Sequence, residues 1–219
     1  MSHLNFWELF KVSLPALLEG AQMTVRIITV GIVVALIIGL VIGVINVGNN
    51  KVLKAFARVY IGLVRGTPLL VQVFFIYFGL PTVLDFRLSA VTAGTIAIAI
   101  NASAYMAEII RAGILSIDNG QMEASRSLGL SYFQSMRKVI LPQAIKRMVP
   151  PLVNQSIISL KDTSILSAIG IIELTSSGQI IIASTFKAFE VWIMVGFIYL
   201  IVIEILTLAT SWLERRWTV

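Results

Sequence analysis

The chain has 219 residues, of which 58% are hydrophobic and only 13% charged, with a mean hydropathy of +0.93. Soluble domains carry about 25% charged residues, so the ordinary soluble class is excluded, together with disordered, collagen-like and coiled-coil chains. The net charge is nevertheless +6, from 17 Lys and Arg against 11 Asp and Glu. Basic excess in an apolar chain points to positive charge sorted to one side of a membrane, rather than to nucleic acid. Cysteine is absent and His3 is the one histidine. Disulfides, thiolate sites, multi-histidine metal sites and Ser-His triads within one chain are therefore excluded.

The first twenty residues are not expected to form a cleaved signal peptide. Phe6, Trp7, Leu9 and Phe10 are bulky, Glu8 sits among them, and no basic leader precedes. An amphipathic interfacial segment with Trp7 at headgroup level is expected. A bilayer-crossing helix needs about 20 apolar residues. Ile27 to Ile45 is the first such run, and its Ala35, Gly39 and Gly43 form a small-residue stripe suited to packing within the subunit or to dimerisation. Val59 to Leu80 is the second run, interrupted by Arg65, Gly66, Thr67 and Pro68. Leu88 to Ala107 is the third, Pro151 to Ile172 the fourth and Val191 to Leu213 the fifth. Five spans use most of the chain, so one transmembrane domain over residues 1–219 is expected.

Lys51, Lys54 and Arg58 follow the first span. Arg111, Arg126, Arg137, Lys138, Lys146 and Arg147 follow the third, and Arg215 and Arg216 lie in the tail. Only Lys11, Arg87 and Lys187 fall on the opposite face. The positive-inside rule places the amino terminus outside and the carboxyl terminus in the cytoplasm, as an odd number of spans requires.

The cytoplasmic segment 112–150 is long for a helix–helix connection. Asp118 and Asn119 can cap a short helix through Met122, Ala124 and Leu128 that Gly129 stops. Ser131 can cap a second through Phe133, Met136 and Val139, ending near Pro142. The expected result is an exposed knuckle at Gly129 that fits a groove on a partner.

Glu123-Ala124-Ser125, three residues, Gly129, nine residues, Val139, one residue and Leu141-Pro142 resembles the EAA loop of bacterial ABC-importer permeases. Ser125 stands for the third small residue and Val139 for the isoleucine of that pattern. Arg65-Gly66-Thr67-Pro68-Leu69-Leu70-Val71-Gln72 and Lys161-Asp162-Thr163-Ser164 resemble segments of the permeases of polar amino-acid importers. The resemblance covers essentially the whole chain. It implies an all-α membrane protein with the type I ABC-importer (MetI-like) permease fold, multi-pass in a bacterial inner membrane. It implies a two-fold partnership with a second copy or a close homologue, a separate cytoplasmic ATPase docked on the knuckle, and an extracytoplasmic amino-acid-binding protein. Glu123, Ala124, Ser125, Gly129, Leu141 and Pro142 would then couple the chain to that ATPase. Such a subunit is no enzyme and binds no cofactor; ATP and Mg belong to its partner, and no GxxxxGKS-type phosphate loop occurs here.

Ionisable groups at bilayer depth mark a pathway or a pair. Lys161 and Asp162, followed by the hydroxyls of Thr163 and Ser164, lie central to the fourth span. Adjacent helical residues point about 100° apart, so the two charges do not share a face. A locally unwound helix lining a cavity would accommodate them, with Asp162 on a substrate ammonium; a structural pairing with neighbouring helices is the alternative. Asn101, Tyr105 and Glu108 share one face of the third span. Glu108 serves either substrate or Arg111 at i+3. Glu204, with nothing basic within a turn, either meets a cationic substrate or pairs with Arg26 or Arg65. Asp162 and Glu204 together favour a basic amino acid. Arg65, Thr67 and Gln72 form a gate or a simple kink. The competing functions are an ABC permease for another solute, a secondary transporter or channel, which should show inverted repeats, and an intramembrane enzyme, for which no nucleophile–base pair is evident.

Overall fold

The structure, a computed structural model, describes residues 5–217, with side chains as far as Leu208. His3 lies outside the described residues, as do the side chains of Arg215 and Arg216. The described residues form helices without strands: α1 (Phe6–Val47), α2 (Lys51–Arg65), α3 (Leu69–Leu84), α4 (Ala90–Leu115), α5 (Asn119–Ser127), α6 (Tyr132–Ile169), α7 (Leu174–Thr185) and α8 (Ala188–Trp217). Three of them, α1, α4 and α8, are long and apolar enough to cross a membrane alone. Counting each of the bent pairs α2–α3 and α6–α7 as one span raises the number to as many as five, the number expected from hydropathy.

Several boundaries differ from expectation for identifiable reasons. The amino-terminal segment is continuous with the first span. It is the start of a single 42-residue helix, about 63 Å long at about 1.5 Å per residue. Leu9 and Leu17 in that segment are fully buried against Leu174, Val191 and Val195, and this burial holds it in register with the span. The second span is two helices rather than one kinked helix: α2 stops at Gly66 and α3 restarts after Pro68.

The helix starting at Ser131 does not end near Pro142. It continues as α6 through Pro142, Pro150 and Pro151 into the fourth span. Residues Met136–Ile140 form a wide π turn in which the Leu141 N–H donates to the Met136 carbonyl, five residues back. A proline clashes with the carbonyl four residues before it and has no N–H to offer; a wide turn set just ahead of it makes room for the ring. The same device occurs in α3, where Phe75–Gly79 form a π turn, Leu80 N–H donates to Phe75 and Pro81 follows.

The chain divides into two compact units, with the division falling inside α1, α4, α6 and α8 and between α2 and α3. One comprises the chain up to Val33 with Thr67–Ala99 and Ile157–Thr207. Its core is the Leu9–Leu17–Leu174–Val191–Val195 cluster. The other comprises Val34–Gly66 and Ile100–Ser156 with the tail. There the small-residue stripe serves packing within the subunit. A Cβ on Gly39 would lie 2.9 Å from the Cβ of Met106, and one on Gly43 would lie 2.9 Å from the Ala107 carbonyl oxygen. Ile42, Ala57, Ile61 and Ala107 close one cluster of this unit, and Ile110, Ile117, Ile140, Ala144 and Met148 close a second beneath α5.

Candidate functional site

The knuckle forms as its residues dictate. Asp118 caps α5, its carboxylate accepting from Gly120 N–H at 2.6 Å. At the other end Gly129 N–H donates to Arg126 O at 3.0 Å and Leu130 N–H to Ser125 O at 3.2 Å. This paired closure needs a left-handed residue at its centre, and Gly129 has φ +87°. One residue later Ser131 starts α6 with a reciprocal capping box: its hydroxyl accepts from Gln134 N–H at 3.2 Å, and Gln134 Oε1 accepts from Ser131 N–H at 2.8 Å. Glu123, Ala124 and Pro142 are exposed and Leu141 is half-buried. Ser125 instead turns inward, 4% exposed, with its hydroxyl on the Met122 carbonyl at 2.9 Å. What projects from the knuckle is apolar: Leu128 is 84% exposed, Phe133 71% and Tyr132 59%. The sequence placed the knuckle at Gly129 but did not single out Leu128, Tyr132 and Phe133 as its projecting side chains.

In the same unit, α4 carries the expected polar face. Asn101 is buried, while Tyr105 and Glu108 are half-buried. The Arg65 guanidinium stands over the Tyr105 ring, 5.1 Å from its centre. Glu108 pairs with Arg111 at i+3, held bidentately with Nη2 2.5 Å from Oε1 and Nε 3.1 Å from both oxygens. Tyr60, not singled out by sequence, meets Ser103 at 2.6 Å on the adjoining face.

The other unit holds Thr67, Gln72, Lys161–Ser164 and Glu204. Gln72 Nε2 donates to Thr67 Oγ1 at 2.8 Å and to Thr67 O at 3.2 Å, securing the start of α3 where Pro68 provides no side-chain cap. At Asp162 the helix tightens rather than unwinds: Thr163–Ile169 are 3₁₀ and Gly170 ends the run at φ +80°. The Thr163 and Ser164 hydroxyls donate to Leu160 O and Lys161 O, at 2.7 and 2.8 Å. Such back-bonding competes with regular helix. Lys161 is exposed and Asp162 half-buried, and among the described residues they form no ion pair with one another. Glu204 is exposed, with no ion pair to Arg26.

Sequence reasoning missed Glu173. It is fully buried and caps α7: Oε1 accepts from Ser176 N–H at 2.7 Å, and Oε2 from Thr175 N–H at 2.9 Å and from Tyr199 Oη at 3.0 Å. Thr175 and Tyr199 share a further hydroxyl contact at 3.0 Å. Leu174 N–H donates to Thr24 Oγ1 at 3.2 Å. The run Glu-Leu-Thr-Ser-Ser just after Gly170 was the available signal for a capped helix start.

Residues 6–219 match the family of binding-protein-dependent transport system inner membrane components. The chain belongs to this family. It is 45% identical to the glutamine transport system permease protein GlnP of Escherichia coli (strain K12), over 96% of each chain. It is 36% identical to the arginine transport system permease protein ArtQ of Bacillus subtilis (strain 168), over 93% of each. The solved structure of an amino acid ABC transporter superposes with a TM-score of 0.89 at 40% identity, covering 97% of this chain and 99% of that one. The MetNI methionine ABC transporter, at 20% identity and a TM-score of 0.78 over 92% and 96%, shares the fold. The chain is thus an inner-membrane permease subunit with the MetI-like fold, and not an enzyme.

Proposed function

We propose that this permease imports a polar amino acid, with a basic one preferred, and that the Leu128–Phe133 tip docks on a cytoplasmic ATPase subunit. The observation that carries this reading is the tip itself. It is an apolar projection held by a paired helix closure and a capping box, a rigid shape that a groove can grip and move. In this reading eleven of the seventeen positives face the cytoplasm, with the amino terminus outside. The permease works as a two-fold pair with a second copy or close homologue, fed by an extracytoplasmic amino-acid-binding protein. ATP and Mg at the partner drive closure, which shifts the permease between outward- and inward-facing populations.

Glu123, Ala124, Gly129, Leu141 and Pro142 belong to the coupling element, with Ser125 supporting it from inside. Asn101, Tyr105, Lys161, Asp162, Thr163, Ser164 and Glu204 are proposed as substrate contacts. Glu108 then acts through Arg111, and Arg65, Thr67 and Gln72 act as a gate. The basic preference rests on Asp162 and Glu204, two acids of one unit without a cationic partner among the described residues. Glutamine is the second reading, favoured by the 45% identity to a glutamine permease.

Co-purification with the neighbouring ATPase and binding protein, followed by amino-acid-stimulated hydrolysis in proteoliposomes, tests the proposal. Stimulation by arginine, lysine or histidine at lower concentrations than glutamine supports it. Stimulation by glutamine alone overturns the basic preference, and stimulation by no amino acid overturns the substrate class.

A further inference from the structure

The unit that carries the knuckle contains a cavity of about 390 Å³ between the end of α1, one side of α2 from Lys54 to Gly62 and the end of α4. That volume lies within the range of about 300–1,000 Å³ used by small-molecule sites. Its charged walls are Lys54 and Arg58 of α2 with Glu108 and Arg111 of α4. Arg111 is neutralised by the bidentate Glu108. Lys54 and Arg58 have no ion pair or side-chain hydrogen bond among the described residues. One turn apart on the same helix, they leave two positive charges uncompensated in a concave site, where a low-dielectric wall strengthens the pull on an anion. Asn46 lines the same cavity, is 4% exposed, and its Oδ1 is buried without a hydrogen-bond partner. A buried acceptor of that kind is costly unless a donor reaches it.

The opposite side of α2 supplies the second half of the argument. Val52, Phe56, Val59 and Leu63 recur at helical spacing and are 77%, 64%, 59% and 64% exposed. Ala57 and Ile61 point into the unit. An amphipathic helix with an open apolar stripe on one side and an unpaired basic cluster on the other has the chemistry of a membrane-surface helix: hydrocarbon against the stripe and anionic headgroups at the cations.

We propose that this cavity binds the headgroup of an anionic phospholipid that bears a hydroxyl, as phosphatidylglycerol does. The phosphodiester sits on Lys54 and Arg58 and a headgroup hydroxyl donates towards Asn46, while Val52, Phe56, Val59 and Leu63 on the opposite side of α2 hold the helix against bilayer hydrocarbon. The site requires only that the chain lies in a bilayer, and so stands apart from the substrate and orientation proposed above.

The test uses the full chain in detergent, with thermal shift and native mass spectrometry as readouts. Titrated phosphatidylglycerol should raise the midpoint and remain bound, whereas phosphatidylcholine should do neither. Lys54→Gln with Arg58→Gln should weaken the apparent affinity roughly thirtyfold, the scale of two basic residues at an anionic surface. Lys51→Gln, on the same helix but outside the cavity, should retain the wild-type shift. Inorganic phosphate reproducing the whole shift would overturn the lipid assignment in favour of a free-anion site. An unchanged response in the double variant would overturn the site altogether, leaving Lys54 and Arg58 as charges that complement the carboxyl ends of α1 and α4. Should the double variant fail to insert, retention by the unaltered chain decides: equal retention of the two lipids refutes the proposal.

Discussion

Gly129 separates turn geometry from side-chain size at the coupling tip. Its φ is +87°, and a Cβ built there meets nothing within 4 Å. A substitution therefore meets no steric wall inside the subunit and bears only the backbone penalty of a left-handed residue, about 1–2 kcal/mol for an ordinary L-amino acid. That penalty reduces the population of the closed tip by a factor of about 5–30. Asparagine tolerates the left-handed region best among non-glycine residues, and a β-branched residue tolerates it worst. Gly129→Asn should therefore keep most substrate-stimulated ATPase and uptake, Gly129→Ala should lose several-fold, and Gly129→Val should lose nearly all, with each chain still inserted. Proteoliposomes containing the ATPase and binding protein, with permease content matched by immunoblot, provide the assay. If Asn and Val are equally inactive, bulk against the partner's groove is what matters and the geometric argument fails. If all three work normally, the tip is not the coupling element.

Other outcomes follow from burial. Glu173→Ala removes a fully buried carboxylate and leaves the Thr175 and Ser176 amides without acceptors, at about 1–3 kcal/mol for each orphaned group. Glu173→Gln keeps one acceptor oxygen, so its thermal midpoint in detergent should lie between those of Ala and the wild type; equal midpoints for Ala and wild type would show that water replaces the carboxylate. Gly43→Ala drives a Cβ to within 2.9 Å of the Ala107 carbonyl oxygen and 3.0 Å of Ile110 and should destabilise by about 1–3 kcal/mol. Gly196→Ala, with open space around it, should instead stabilise α8 by roughly 0.5–1 kcal/mol. Opposite signs in the two unfolding midpoints are expected, and a neutral Gly43→Ala would contradict the close approach of α1 and α4.

Much of the architecture was legible because hydropathy and capping are local. Five apolar runs correspond to three long helices and two broken pairs, and Asp118, Gly129 and Ser131 punctuate the knuckle where their side chains and backbone freedom require. Pro142 misled for an equally physical reason. A proline read alone ends a helix, but the π turn at Met136–Ile140 absorbs it, and no short-range rule distinguishes the two outcomes. Spacing alone left the partner of Glu108 open between substrate and Arg111; in the fold its oxygens meet Arg111 bidentately. Glu173 escaped notice because its significance lies in full burial and in a bond from Tyr199, a residue distant in sequence.

The basic balance of an apolar chain, the number of spans and the position of the knuckle are properties of the sequence by itself. They depend on transfer free energies and helix caps that each stretch of about twenty residues or fewer determines for itself. Tertiary structure decided what those residues face. It turned Ser125 inward and Leu128 outward, made Gly39 and Gly43 a helix contact, and tightened the backbone after Asp162. Among the described residues it also left Lys54 and Arg58 without an ion pair around a cavity. A helix offers several faces to its neighbours, and only packing against the rest of the chain selects which of them is buried.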